Sequence, residues 1–217
     1  MEPQKFALVT GGSEGVGFAV AQMLHRRGFF ILLVARNSEK LVAAKEKLGG
    51  DRVAVFCADV TELSDIKRLY AEIKGVTERI DVLVNSAGTF KWDNSGVDLM
   101  LLNAQSKEFV THTFAPLLNA GAIVINVSSQ AALFSDDDPR RQGEVEYVDS
   151  MRRVDTFSAD FARENPEVRV FVSHPPLMKG KIAEEQFRGR VGFEGIDFDA
   201  LPGPEIVAHE IEQMFFC

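Results

Sequence analysis

The stretch TGGSEGVG, residues 10–17, places four glycines in eight positions, after an apolar run and before a helical one. Residues of these types in this setting bind phosphate. Gly11 permits a tight turn, Gly15 lets the backbone approach a pyrophosphate, and Gly17 lets the following helix pack closely on a sheet. Free N–H groups at the helix start then face the anion, and the helix dipole favours it. Ser13, Glu14 and Val16 complete the candidate cradle. A glycine-rich turn alone is a weak signal; the strand–turn–helix setting gives it weight.

The elements that must position this turn are legible as a regular beat of short apolar runs: KFALVTG, FFILLVAR, VAVFCADV, IDVLVNSAG, AIVINVSS and VRVFVSHP. Near-continuous apolar strands are buried on both faces, the mark of a parallel sheet. Helical spacing lies between them. VGFAVAQMLHRRG sets Val16, Val20, Met23 and Leu24 on one face and ends at Gly28, a C-cap. SEKLVAAKEKLGG begins at Ser38, read as its cap, and TELSDIKRLYAEIK follows Thr61, read as another. Further helices are expected over about 96–119, 145–164 and 204–216. The alternation predicts an α/β chain: a Rossmann-like doubly wound parallel sheet of about six strands, with helices on both faces and right-handed crossovers. One domain over 1–217 is expected. SDDDPRRQGEVE, residues 135–146, reads as an insertion, and the glycine-bearing stretch of about 177–203 as a short lid.

Composition narrows the function classes. Apolar residues make up 46% of the 217 and charged residues 26%, as in ordinary globular proteins. The 24 Lys and Arg against 32 Asp and Glu give a formal charge of −8, which argues against nucleic acid or an anionic membrane as partner. FFILLVA, the longest apolar run, suits a buried strand, since a membrane span needs about 20 residues. No targeting segment is evident. The two cysteines, Cys57 and Cys217, read as free thiols in a reducing compartment, and a cytoplasmic location is expected. No metal site is expected.

The spacing T-G-x-x-x-G-x-G resembles the fingerprint of the short-chain dehydrogenase/reductase family, and more of the chain agrees. Asp59-Val60 after the third strand matches the family's adenine contact. NSAG, residues 85–88, resembles its NNAG, which places Asn85, Ala87 and Gly88 beside the cofactor. Asn103 matches the family's helix asparagine. INVSS resembles the strand that ends in the catalytic serine, here Ser129. YVDSMRRVDTFSADFARE resembles the helix of the YxxxK motif, with Tyr147 as its tyrosine, and VRVFVSHPP resembles the sixth strand, with Pro175 following. The resemblance covers residues 5–180 and 204–216 and implies a nicotinamide dinucleotide as cofactor. At the end of the second strand the family's NAD users carry an acid. Here Arg36 stands there, followed by Asn37, and a guanidinium can hold a 2′-phosphate through two hydrogen bonds. NADP(H) is therefore expected over NAD(H), although Glu14 cuts the other way, since NADP users often have a base at that point.

The resemblance also implies the chemistry. The tyrosine exchanges a proton with the substrate oxygen, the serine holds that oxygen, and a lysine one turn after the tyrosine lowers its pKa and holds the nicotinamide ribose. The helix asparagine anchors a water. The chain has Ser129, Tyr147 and Asn103, but Met151 at the lysine position. Position i+4 lies about 40° round the helix, on the same face. A thioether donates no hydrogen bond and carries no charge. An unassisted tyrosine, with a pKa near 10, is ionised about one part in a thousand at pH 7. Arg152 and Arg153, about 140° and 240° round, should point away. Arg140, Arg141 and His174 are the other candidate stand-ins. Further departures are the eighteen positions from Ser129 to Tyr147, the short stretch from Asn85 to Asn103, Pro175-Pro176 for the family's Pro-Gly, and Lys179-Gly180 where it has a threonine.

Three functions remain open. One is an atypical NADP(H)-dependent reductase of a carbonyl- or imine-type small molecule, with Ser129 and Tyr147 at the substrate oxygen. The second is a redox-inactive nucleotide-binding sensor or partner-binding protein. The third is a non-redox enzyme built on the same pocket. Phe90, Trp92, Phe134 and Phe187 suggest an apolar or aromatic small-molecule ligand, or else ordinary packing. A homodimer through the helices bearing Asn103 and Tyr147 is the family-like expectation.

Overall fold

The computed structural model of the chain describes residues 3–90, 96–141, 144–179 and 195–216. Strands form where apolar residues run almost without interruption: β1 Phe6–Thr10, β2 Phe30–Ala35, β3 Val53–Cys57, β4 Ile80–Asn85, β5 Leu118–Val127 and β6 Arg169–Ser173. They make one parallel sheet in the order β3-β2-β1-β4-β5-β6. The helices are α1 Gly15–Arg26, α2 Ser38–Lys47, α3 Leu63–Lys74, α4 Ser106–Phe114, α5 Val145–Glu164 and α6 Glu205–Phe216.

The two-residue period of a strand sorts the core into two layers. Ala7, Val9, Ile31, Leu33, Val82 and Val84 face α1, α2 and α6, where Val20, Leu24, Leu41 and Ile211 cover them. Leu8, Leu32, Leu83 and Val124 face the opposite side, under Ile66 and Leu69 of α3, Phe114 of α4 and Phe161 of α5. This is the doubly wound α/β fold that the alternation of apolar runs predicts.

Differences from the sequence reading are local. Asn37, not Ser38, caps α2: its side chain accepts from the Lys40 N–H at 2.8 Å. Both residue types cap well, and the chain turns one residue earlier. Thr61 does not cap α3, which starts after Glu62; the Thr61 hydroxyl donates instead to Asp59 Oδ1 at 2.7 Å. The helix expected over 96–119 is a composite. A π-helical turn, Leu101–Gln105, leads into α4, a 3-10 turn over Ala115–Leu117 follows, and Leu118 already pairs with Ile80. Pro116 lies in that turn and has no N–H with which to extend the helix. Gly28 does follow α1 as expected, at φ +90°. Cys57 is a free thiol, and Cys217 lies outside the described residues. Of the stretch read as a lid, residues 180–194 lie outside them too, as do 142 and 143 of the insertion. Among the described residues no helix is long and apolar enough to cross a membrane.

Candidate active site

In an open sheet of this order the crevice forms at the carboxyl ends of the strands, where β1 and β4 send their following helices to opposite faces. A cleft of ≈ 860 Å³ lies there. Strand order fixes the sequence of groups along it. Val60 follows β3, Arg36 and Asn37 follow β2, and Gly11, Ser13, Glu14, Gly15 and Val16 follow β1. Ala87 and Gly88 follow β4, Ser129 follows β5 and Pro175 follows β6.

The turn after β1 has the expected geometry. Gly11 sits at φ +64°, and a Cβ there would lie 2.8 Å from the Ala87 nitrogen. A Cβ on Gly17 would collide with the Gly11 carbonyl, so Gly17 shapes the turn from behind and does not line the cleft. Gly15, at φ +58°, has open space where its side chain would be. The start of α1 has no side-chain cap and no acid in its first turn, which leaves its N–H groups for an anion.

At the β2–β3 end, Arg36 is 65% exposed, with Nη1 3.6 Å from Asp59 Oδ2. Asp59 does not line the cleft; its Oδ1 accepts from the Thr61 N–H and hydroxyl. Lys40, one turn into α2, also lines the cleft and holds both oxygens of Glu14, at 2.7 and 2.9 Å. Sequence reading passed over Lys40. The signal was its i+4 spacing from Arg36.

At the β5–β6 end, Ser129 and Tyr147 both line the cleft, and the Ser129 hydroxyl lies near enough to the Tyr147 phenol to influence its titration. Burial pushes the Tyr147 phenol above its ordinary value near 10. The neighbouring Ser129 hydroxyl pulls the other way, and the Glu144 charge adds to the rise. Ser129 Oγ also accepts from the Ala131 N–H at 3.2 Å. Phe90 meets Tyr147 edge to face, with ring centroids 4.7 Å apart, and Phe198, Leu177, Ile196 and Leu201 complete the apolar cluster around them. Phe134 lines the cleft beneath the Arg140 guanidinium, 4.0 Å from its ring centre. Trp92 and Phe187 lie outside the described residues.

Besides Gly17 and Asp59, two expected site residues do not line the cleft. The Asn85 side chain is fully buried and donates to Thr111 Oγ1 and Asn126 Oδ1, each at 2.8 Å, which ties β4 to α4 and β5. Asn103, in the π turn, clamps the backbone of Thr89. Its Oδ1 accepts from the Thr89 N–H at 2.8 Å, and its Nδ2 donates to the Thr89 carbonyl at 2.9 Å and to Ser150 Oγ at 3.3 Å.

Met151 does line the cleft, at 4% exposure. The five cations weighed as stand-ins are engaged elsewhere. Arg152 bonds to Asp136 and to the carbonyls of Ala132 and Phe134, Arg153 to Glu108, Arg140 to Asp138, Arg141 to Asp136 and Asp149, and His174 to Asp155. A sixth was missed. Lys107 of α4 lines the cleft at 2% exposure and donates to the Ala87 carbonyl at 2.5 Å. Burial pushes its pKa down to about 7.

The model of the short chain dehydrogenase family matches residues 5–190. Human 3-oxoacyl-[acyl-carrier-protein] reductase is 30% identical over 188 residues, which cover 79% of this chain and 74% of that protein. The (−)-isopiperitenone reductase of Mentha piperita is 32% identical over 129 residues, 56% of this chain and 40% of that protein. Among solved structures, a single-substitution variant of actinorhodin polyketide ketoreductase with NADPH gives a TM-score of 0.81 at 19% identity, covering 97% of this chain and 89% of that one. A dehydrogenase/reductase from Sinorhizobium meliloti 1021 gives 0.79 at 23% identity, covering 95% and 86%. At such identities these two likenesses speak for the fold. The family model spans most of the sequence, from β1 to beyond β6, and on that ground the chain belongs to the short-chain dehydrogenase family.

Proposed function

We propose that the chain is an NADP(H)-dependent reductase of a carbonyl- or imine-type small molecule. The observation that carries this is the placing of Ser129 and Tyr147 together in the same cleft as the open glycine turn. The cleft fits a dinucleotide phosphate. Gly15 leaves open space, the first N–H groups of α1 are uncapped, and Arg36 and Lys40 stand at the β2 end, where a 2′-phosphate would lie. Val60 would border the adenine, and Ala87, Gly88 and Pro175 the nicotinamide half. When bound, the reduced nicotinamide supplies hydride.

The chain's own residues do the rest. Ser129 holds the substrate oxygen. Tyr147 donates its phenolic proton to that oxygen, or to the nitrogen of an imine, as the carbon is reduced. Reduction needs the protonated phenol, and a pKa raised by burial keeps it so at neutral pH. Phe90, Leu177 and Ile196 keep water from the reacting end and favour an apolar substrate. The names of the human and mint relatives, both reductases, and the NADPH in the actinorhodin ketoreductase structure agree with this direction.

Calorimetry with NADPH and NADH, on the wild type and Arg36→Ala, tests the cofactor. The expected result is a preference for NADPH that Arg36→Ala removes. A carbonyl-substrate screen follows, in which Tyr147→Phe lowers turnover by about 10²–10⁴-fold. Met151 favours one rival, a protein that binds nucleotide without turnover. Tight NADPH binding with no turnover across the screen would select that rival.

A further inference from the structure

The cleft holds a buried cation with no carboxylate to answer it. Lys107 lies on the second residue of α4, and among the described residues no acid forms an ion pair with it. An ammonium has three donors, and the Ala87 carbonyl takes one. Taking a lysine out of water without a partner is costly, and nothing in the packing of α4 calls for one: its other buried positions include Val110, Thr111 and Phe114. Such a group is retained where something else completes its bonds.

Its position says what that would be. Lys107 Nζ lies 3.4 Å from where a Cβ on Gly88 would stand, and Asn103 Oδ1 lies 3.0 Å from the same point. Ala87, whose carbonyl it binds, is the residue that Gly11 touches from the other side. Lys107 therefore sits at the β4 station of the cleft. The glycine turn lies on one side of it, and Ser129 and Tyr147 lie on the other. The neighbouring Asn103, one helical turn before it, is tied to the helix that bears Tyr147: it donates to Ser150 Oγ, and the Ser150 hydroxyl donates to the Tyr147 backbone carbonyl at 2.7 Å. A dinucleotide whose pyrophosphate lies on the glycine turn and whose reactive ring meets Tyr147 presents the intervening sugar at this station. A sugar diol offers the oxygen acceptors that Lys107 lacks.

We propose that Lys107 supplies, from α4, the cationic donor that Met151 of α5 cannot, and that it holds the sugar hydroxyls of the nicotinamide half of the nucleotide. This assignment rests on the nucleotide reading above and adds to it a residue from a different element. Met151 is then a packing residue of the same wall.

The test compares two ligands by calorimetry: NADPH, and adenosine 2′,5′-bisphosphate, which lacks the nicotinamide half. Lys107→Met should weaken NADPH at least tenfold and leave the bisphosphate within twofold. Adding Met151→Lys to that variant should recover much of the NADPH affinity. A wild-type measurement serves if the variant folds poorly. Reductive methylation followed by peptide mapping should modify Lys107, with protection by NADPH and not by the bisphosphate. Unchanged NADPH affinity in Lys107→Met, equal weakening of both ligands, or equal protection by both would overturn the assignment and leave the cofactor reading standing. Binding of neither ligand by the wild type would remove both.

Discussion

Lys107 makes the sharpest demand at the scale of single residues. Its ordinary pKa of 10.5 falls to about 7 because burial penalises the charged form. Below about pH 7 the folded protein must keep a buried ammonium, and the full penalty is present. As the pH rises from 7 toward 10.5, the folded chain has shed this proton while the unfolded chain still holds it, so folding gains stability. A difference of 3.5 units (10.5 − 7) corresponds to about 5 kcal/mol as an upper bound. Lys107→Met removes the titration and loses the Ala87 hydrogen bond, worth about 1 kcal/mol. The ligand-free variant should therefore be the more stable protein at pH 6, and the advantage should vanish by pH 10.5. Urea midpoints at the two pH values check this; equal offsets at both would show that the lysine is not buried in solution. A variant that is more stable yet binds NADPH worse is the signature of a residue kept for a ligand. Tyr147 moves in the opposite sense: its raised phenol stays protonated beyond pH 10. The reductive rate should consequently show no downward limb from Tyr147 below that pH.

At the scale of elements, the π turn that leads into α4 is tied to α5 through polar atoms, and Asn103 is the join. Its side chain satisfies both the N–H and the carbonyl of Thr89 and reaches Ser150. Asn103→Ala would leave two partly buried backbone groups of Thr89 without this partner, a loss of about 1–3 kcal/mol. Asn103→Asp keeps the acceptor for the Thr89 N–H but sets a carboxylate against the Thr89 carbonyl, and should do no better. Chemical denaturation of both variants measures this, and a loss below about 0.5 kcal/mol in either, the low end for one hydrogen bond, would show the clamp to be dispensable. This join also marks where sequence reading ended. The glycine turn, Ser129 and Tyr147 were legible because each is a local pattern in a recognisable element. The doubly wound parallel sheet followed from the beat of apolar runs. Lys107 was not found, although it stands four residues after Asn103, because its meaning depends on how closely α4 approaches the end of β4. Asn85 was read as a cleft residue, while the pleat turns its side chain toward Thr111 and Asn126. Ser38 and Asn37 cap equally well in a sequence, and only the path of the chain chooses between them.

At the scale of the whole molecule, a formal charge of −8 surrounds a cleft proposed to take an anionic nucleotide. Distance reconciles the two. The net charge is spread over the surface and repels a 2′-phosphate from many ångströms away, whereas Arg36 and Lys40 would meet it in contact. Salt acts on these terms unequally. The screening length is about 30 Å at 0.01 M, about 8 Å at 0.15 M and about 3 Å at 1 M. Going from 0.01 to 0.15 M thus removes most of the distant repulsion while leaving most of a contact at about 4 Å. Going on to 1 M weakens the contact as well, because Arg36 and Lys40 are exposed and poorly shielded from ions. The ratio of NADPH to NADH affinity isolates the 2′-phosphate, since the rest of the ligand cancels. That ratio should hold or rise between about 0.01 and 0.15 M salt and fall several-fold by about 1 M, and Arg36→Ala should flatten the fall. Calorimetry at the three salt concentrations reads it directly. A ratio that drops steadily from the lowest salt would mean that the surface charge does not reach the cleft, and that Arg36 and Lys40 alone set the preference.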